Sequence, residues 1–154
     1  MTGPASTAED ANTDAWRAAD MGALNGHGTA RGIATILSAI PNGGRIDGQR
    51  WLSPETIGLI FREQANGTDV ILGMPLRWGI GYALPLPGLP LPATVAQRPD
   101  RRICFWGGWG GSLAIMDLDQ RMTFVYVPNR MGAGLIGGPR SDDHLTAVYA
   151  ALEG

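Results

Sequence analysis

At 154 residues the chain is long enough for one domain with a real core, since a domain of this size buries about 68–70% of the surface its unfolded chain exposes. The formal net charge is −2 and no segment gathers basic residues, which disfavours nucleic acid as a partner. The twelve basic residues are all arginine, and without a lysine the chain's own residues support no mechanism that needs a lysine base or Schiff base.

Residues 1–13 are rich in Thr, Ala and Asp and lack apolar periodicity, so they read as a flexible lead-in to a domain spanning 14–154. Met1 to Asp20 has no apolar core of the signal-peptide kind, and no segment reaches the roughly 18 apolar residues of a spanning helix, so the expected compartment is the cytoplasm. Asp14 to Asp20 predicts a short helical turn around Trp16. After Asn25-Gly26-His27-Gly28, Thr29 is the N-cap of a helix with apolar positions Ile33, Ile36, Leu37 and Ile40, ended by Pro41-Asn42-Gly43-Gly44. Ile46 to Leu52 reads as a turn flanked by short extended pieces. Ser53-Pro54-Glu55 then supplies an N-cap, a first-position proline and a first-turn acid for a second helix that buries Ile57, Ile60 and Phe61, with Asn66-Gly67-Thr68 closing it.

From Arg77 the pattern turns to strand, Trp78, Ile80 and Tyr82 alternating with Gly79, Gly81 and Ala83. The prolines of Pro85 to Pro92 lack N–H donors, so that run is an extended loop, a connector in the first place and otherwise a pocket wall or a ligand for a polyproline-recognition module. Three strands follow, Arg101 to Gly107, Ser112 to Asp117 and Met122 to Val127, with Asp119-Gln120 as the hairpin between the last two. Met122 to Val127 is apolar on both faces and is expected to be central and covered on both sides. A glycine-rich loop from Met131 to Gly138 leads to a final helix capped by Ser141, with Leu145, Val148, Tyr149 and Leu152 inward. This order argues an α+β fold, an antiparallel sheet with packed helices.

The densest glycine stretch is Phe105-Trp106-Gly107-Gly108-Trp109-Gly110-Gly111-Ser112. Glycine at that density lets the backbone approach another group closely or take φ > 0, which serves a tight turn and a site equally. The single cysteine, Cys104, lies in an apolar run and reads as a buried inert thiol. His27 and His144 with no paired cysteines assemble no zinc cluster, and neither metal nor cofactor is expected. His27 reads as a loop or capping residue. Gly110-Gly111-Ser112-Leu113-Ala114 approaches the Gly-x-Ser-x-Gly nucleophile elbow, with Asp142 or Asp143 and then His144 in the right order. An elbow needs strand, turn and helix, whereas Ser112 begins a hairpin arm. The carboxylate pairs Asp117 with Asp119 and Asp142 with Asp143 fit solvated or capping roles rather than glycoside chemistry.

Phe105 to Ala114, Asp117 and Phe124 to Met131 resemble the C-terminal part of the β-lactamase-related serine hydrolases, a family of class C β-lactamases, D-alanyl-D-alanine carboxypeptidases and carboxylesterases. Asn25 to Ala34, Pro41-Asn42-Gly43-Gly44 and Leu52 to Thr56 resemble the helical region just upstream. The resemblance runs from about residue 12 to the end, and it implies the C-terminal part of a β-lactamase/transpeptidase-like fold. It also implies that Trp106-Gly107-Gly108 is the family's third motif, a Trp-x-Gly variant of the lactamase Lys-Thr-Gly. On that basis Gly107 and Gly108 let substrate lie against the strand, and the N–H of Trp109 supplies half of an oxyanion hole.

The first motif, Ser-x-x-Lys, has no counterpart in a chain without lysine, and Tyr126-Val127-Pro128-Asn129 does not match the tyrosine motif. The expected function is therefore the C-terminal part of an esterase-like serine hydrolase acting on a small-molecule ester or amide, inactive alone, with nucleophile and base supplied from elsewhere. The alternatives are a non-catalytic binding or structural protein that keeps the fold, with a pocket among Trp106, Trp109 and the proline-rich loop, and a hydrolase built on Ser112 and His144. An unpaired sheet edge is expected, leading to self-association or a complementing chain, with no membrane partner.

Overall fold

In a computed structural model, which describes residues 7–22 and 26–154, local capping chemistry sets the helices and non-local pairing sets the sheet. A 3-10 turn, Ala8–Asn12, occupies part of the stretch expected to be a flexible lead-in, and α1 (Asp14–Ala18) follows with Thr13 as its N-cap. Asn25 lies outside the described residues, and His27 beside it is exposed. Helix α2 (Ala30–Leu37) begins where the sequence places it, the Thr29 hydroxyl accepting from the Gly32 N–H at 3.1 Å. Its apolar stripe is only partly used: Ile40, in the turn after the helix, is buried, whereas Ile36 is 70% exposed.

The piece between α2 and the next helix is a small hairpin, β1 (Arg45–Ile46) with β2 (Gln49–Arg50), turned by Asp47 and Gly48 at positive φ. Helix α3 (Pro54–Ile60) has Ser53 as N-cap and proline in its first turn, and it buries Ile57 and Ile60, with Phe61 as its C-cap. Asn66-Gly67-Thr68 does not close that helix. It belongs to β3 (Ala65–Thr68), paired antiparallel with β4 (Pro75–Trp78).

The strand expected from Arg77 through Ala83 is two strands. β4 stops at Trp78 and β5 (Ala83–Leu84) returns antiparallel to it, with Gly81 at φ +78 and the Gly79 N–H bonded to the Tyr82 carbonyl. Only glycine fits at position 79, because a Cβ there would collide with the Ile60 carbonyl oxygen. Residues 85–92 form the expected loop, and its Leu89 and Leu91 are buried in the main core, which makes it a structural connector. A short helix α4 (Ala93–Ala96) follows.

Then come β6 (Ile103–Gly108), β7 (Ser112–Asp117) and β8 (Met122–Tyr126), giving a six-stranded antiparallel sheet in sequence order from β3 to β8. Among the described residues β8 is therefore an outer strand, where the sequence reading expects a central one. The reason its sequence reads as central is that helices cover it: Met122 and Phe124 pack on the cluster that holds Leu145 and Tyr149, and α2 packs against β8. The final helix α5 (Pro139–Glu153) starts before the expected cap, with Gly138 at the N-cap and Pro139 preorganised in the first turn. The Ser141 hydroxyl instead lies inside the helix, accepting from the Gly138 N–H and donating to the Gly138 carbonyl. Leu145 and Tyr149 are buried as expected, while Leu152 is exposed.

Asp117 is the buried polar centre of the sheet and not the solvated carboxylate that its hairpin position suggests. It accepts from Tyr149 Oη at 2.9 Å and from the N–H groups of Asp119 and Gln120, with Arg101 at 3.5 Å. Burial and the adjacent Asp117 charge push the Tyr149 phenol well above its ordinary range. No helix among the described residues is long and apolar enough to cross a membrane.

Candidate active site

The expected site residues fall on the end of β6 and on the turn into β7. Cα partners run from Ile103 with Asp117 to Gly108 with Ser112, so Trp106 and Gly107 lie inside the ladder and Trp109 just beyond it. The Gly111 N–H donates to the Gly108 carbonyl at 3.0 Å, and Gly110 and Gly111 have φ of +99° and +98°. That is a conformation L side chains resist, which accounts for the glycine pair.

The loop 131–138 buttresses this turn from outside. Gly110 N–H donates to the Gly134 carbonyl at 3.0 Å, and Gly132 N–H donates to the Gly110 carbonyl at 2.8 Å. Gly107 sits where the two meet: a Cβ on it would lie 2.8 Å from Ile136 Cα and 2.9 Å from the Ser112 carbonyl oxygen. At Gly108 the nearest atom to such a Cβ is Ser112 Oγ, 2.5 Å away. The glycines of the motif are thus required by backbone packing as much as by access.

β5 pairs with β6 at one position, Ala83 with Phe105. From Trp106 onward, β6 has no strand on that side among the described residues. The Trp106 indole fills the gap by packing on Trp78, with ring centroids 4.7 Å apart and planes tilted by 47°. Trp109 is 68% exposed, and its N–H has no hydrogen-bond partner among the described residues. The stretch therefore offers an aromatic wall, an open strand edge and a free backbone donor in sequence.

Ser112 and His144 do not form a dyad. Along β7 alternate side chains face opposite sides, and Leu113 points into the cluster with Leu145 and Tyr149 of α5. Tyr126, the cross-strand partner of Leu113, stacks on His144 at 5.8 Å. Ser112 thus faces away from the side that carries His144. The Asp142 carboxyl lies against Ser141, and burial raises its pKa. Cys104 is fully buried, and desolvation pushes its thiol up to about 12, which removes it as a nucleophile.

Neither of two further spaces coincides with this wall. A cavity of about 60 Å³ behind the Gly110-Gly111 turn is lined by Tyr126, Gly134, Gly138 and Ser141. A groove of about 460 Å³ lies between α2 and β8, bounded by Arg31, Thr35, Asp47, Arg121 and Thr123. The first is far below the roughly 300–1,000 Å³ of a ligand pocket, and the second is remote in sequence and sheet position from Trp106. Sequence reasoning missed Trp78 and the 131–138 buttress. The latter carried a signal in its glycines, but Trp78 reaches Trp106 only through the short β5 between them.

Known proteins share the fold of the chain. The crystal structure of a family VIII carboxylesterase matches with a TM-score of 0.83 at 34% identity, over 96% of this chain and 38% of that one. A penicillin-binding protein homologue from Caulobacter crescentus matches with a TM-score of 0.77 at 32% identity, over 88% of this chain and 35% of that one. By sequence, the esterase/beta-lactamase LipL of Mycobacterium tuberculosis is 34% identical over 119 residues, 77% of this chain and 25% of LipL. The chain thus spans between a quarter and two fifths of the length of these relatives. The α+β architecture with its antiparallel sheet is the β-lactamase-like fold of these neighbours. The beta-lactamase family profile matches residues 1–146, and the chain belongs to that family.

Proposed function

We propose that the chain forms the C-terminal wall of an esterase-like acyl-transfer site that hydrolyses a small-molecule ester or amide. In this reading a serine from a segment outside these 154 residues attacks the substrate carbonyl while a lysine beside it accepts the hydroxyl proton. The Trp109 N–H donates to the oxyanion that develops on the carbonyl oxygen. The leaving alcohol or amine takes the proton, and water then releases the acid from the acyl-enzyme. Trp106-Gly107-Gly108 is the strand along which the substrate lies.

The observation that carries this reading is the open edge of β6 after Phe105, bounded by the Trp78–Trp106 pair and followed by an unengaged Trp109 N–H. A donor of that kind is worth about 10²–10³ in rate where it meets the developing charge. Family membership supports the chemistry, and the absence of lysine from these 154 residues supports a base supplied by another segment.

The purified chain is expected to leave p-nitrophenyl butyrate and a chromogenic cephalosporin unhydrolysed. In a chimera in which it replaces the matching C-terminal portion of the family VIII carboxylesterase, Trp109→Pro removes the N–H at a turn position that tolerates proline, and Trp109→Ala keeps it. The proline variant is expected to lose about 10²–10³ in kcat relative to the alanine variant. A loss below about 3-fold refutes the oxyanion role. Turnover by the chain alone, abolished by Ser112→Ala, overturns the whole reading.

A further inference from the structure

The end of the sheet that carries the β6–β7 turn gathers exposed apolar side chains. Strand pairing sets three chain reversals or strand ends side by side there: the β4–β5 turn lies beyond the Ala83–Phe105 pair, the β6–β7 turn beyond Gly108–Ser112, and β8 runs out past Leu113–Tyr126. Each presents a large apolar side chain to solvent, Ile80, Trp109 and Val127 in that order, and the buttressing loop adds Met131 and Leu135. Neighbouring strands lie about 4.8 Å apart, so the row from β4 to β8 is roughly 20 Å wide.

The backbone holds these groups outward. The loop is tied to the turn through Gly110 and Gly132, and a Cβ on Gly110 would lie 2.9 Å from Met131 Cγ and Cε, so the Met131 side chain lies across the turn next to Trp109. A single exposed apolar residue is ordinary, but a group gathered at one end of a sheet marks an interaction surface. Its charge narrows the partner. Segments 78–84, 103–116 and 124–138 carry one charged residue between them, Arg130. Arg140 donates to the Arg130 carbonyl at 2.8 Å, which brings a second guanidinium to the same border. Neither arginine has an ion pair among the described residues. Of the two acids that follow on α5, Asp142 is turned against Ser141 and Asp143 pairs with neither arginine.

We infer that this end of the sheet is a peripheral docking face for an anionic phospholipid surface. Trp109, Met131 and Leu135 enter the boundary between headgroups and acyl chains, where an indole is at home, and Arg130 and Arg140 meet the phosphates. A protein partner or a second copy suits the face less well, because a stable interface takes about 20–30 residues a side and this one offers five apolar side chains and two arginines. No spanning helix is needed, so the expectation of no membrane partner, drawn from the absence of such a helix, covers integral insertion alone. The docking stands apart from the proposed chemistry, although it would turn the Trp106–Trp109 wall toward esters held in a lipid layer.

The test sediments the purified chain with sucrose-loaded vesicles of phosphatidylcholine and phosphatidylglycerol in equal parts. Binding is expected to fall at least about 10-fold on phosphatidylcholine alone and to weaken with added salt. Trp109→Ala is expected to lower it at least about 10-fold and Arg130→Gln about 5-fold, both at an unchanged thermal midpoint, since both side chains are exposed. With brominated acyl chains part of the tryptophan emission is quenched; Trp109→Phe removes that quenching, and Trp51→Phe, at the other strongly exposed tryptophan, leaves it. Absence of binding, binding indifferent to Trp109→Ala and Arg130→Gln, or quenching that survives Trp109→Phe overturns the inference. A dimer in sizing chromatography that Trp109→Ala dissolves assigns the face to a second copy and overturns it equally. Vesicle binding with no esterase activity in the chimera refutes the proposed function and leaves the docking intact.

Discussion

Gly107→Ala tests whether the wall at β6 is set by backbone packing. The added Cβ meets Ile136 Cα at 2.8 Å, the Ser112 carbonyl oxygen at 2.9 Å and the Leu135 carbonyl oxygen at 3.2 Å, all of them main-chain atoms. None can rotate away, so relief requires the loop 131–138 or the β6–β7 ladder to move by several tenths of an ångström. Overpacking of this kind costs about 1–3 kcal/mol. For a domain of this size that is a fall of about 2–12 °C in the thermal midpoint. Gly108→Ala is the internal control. Its close neighbour is Ser112 Oγ at 2.5 Å, a hydroxyl that can change rotamer, so this variant is expected to lose under about 1 kcal/mol and to recover fully in a Ser112→Ala background. Urea unfolding of the parent chain, the three single variants and the Gly108→Ala/Ser112→Ala double variant supplies the numbers. If Gly107→Ala and Gly108→Ala are equally stable, the claim that the loop fixes the strand wall through main-chain contact is wrong.

The Asp117 network gives a larger effect. Asp117→Leu strands Tyr149 Oη, two N–H groups and Arg101, and is expected to cost about 3–5 kcal/mol in chemical denaturation, with Tyr149→Phe costing less than half of that. Alkaline pH should destabilise the fold. The Cys104 thiol is raised from 9.0 to about 12 and the Tyr149 phenol is raised from 10.0, so both are protonated in the folded chain at pH values where the unfolded chain has ionised them. Their contribution is fully present below pH 9 and falls by about 1.4 kcal/mol per pH unit per group above the unfolded values. Cys104→Val should remove the thiol's share of that slope between pH 9 and 12, and an unchanged slope in a pH series of urea melts refutes it. The same thiol should react with a disulfide reagent only at the rate of unfolding, since it is fully buried.

What could be read from the sequence was whatever a few adjacent residues decide. Thr29 and Ser53-Pro54 fix helix starts with their own side chains, and Asp119-Gln120 turns the last hairpin, so those elements sit where the pattern puts them. Asn66-Gly67-Thr68 has the composition of a helix stop but lies in β3, because Thr68 pairs with Pro75 and Asn66 with Arg77 across a turn that local propensity does not see. The close approach of Gly79 to the Ile60 carbonyl, at the break after Trp78, is a non-local contact that no pattern around Gly79 records. β8 looked central because helices on both sides leave the same apolar signature as neighbouring strands do on the ladder.

The site divides along the same line. The glycines of residues 107–111 announce themselves, since positive φ at Gly110 and Gly111 and close approach at Gly107 leave no other residue. Whether Ser112 could use His144 was a question of parity, and parity is fixed by register: with Leu113 opposite Tyr126, and Tyr126 stacked on His144, the serine is turned to the other face. One slipped residue in the β7–β8 pairing would have reversed that answer. The apolar sequence of β8 and the buried contacts of Leu113 hold the register, and it is that register which denies Ser112 its histidine.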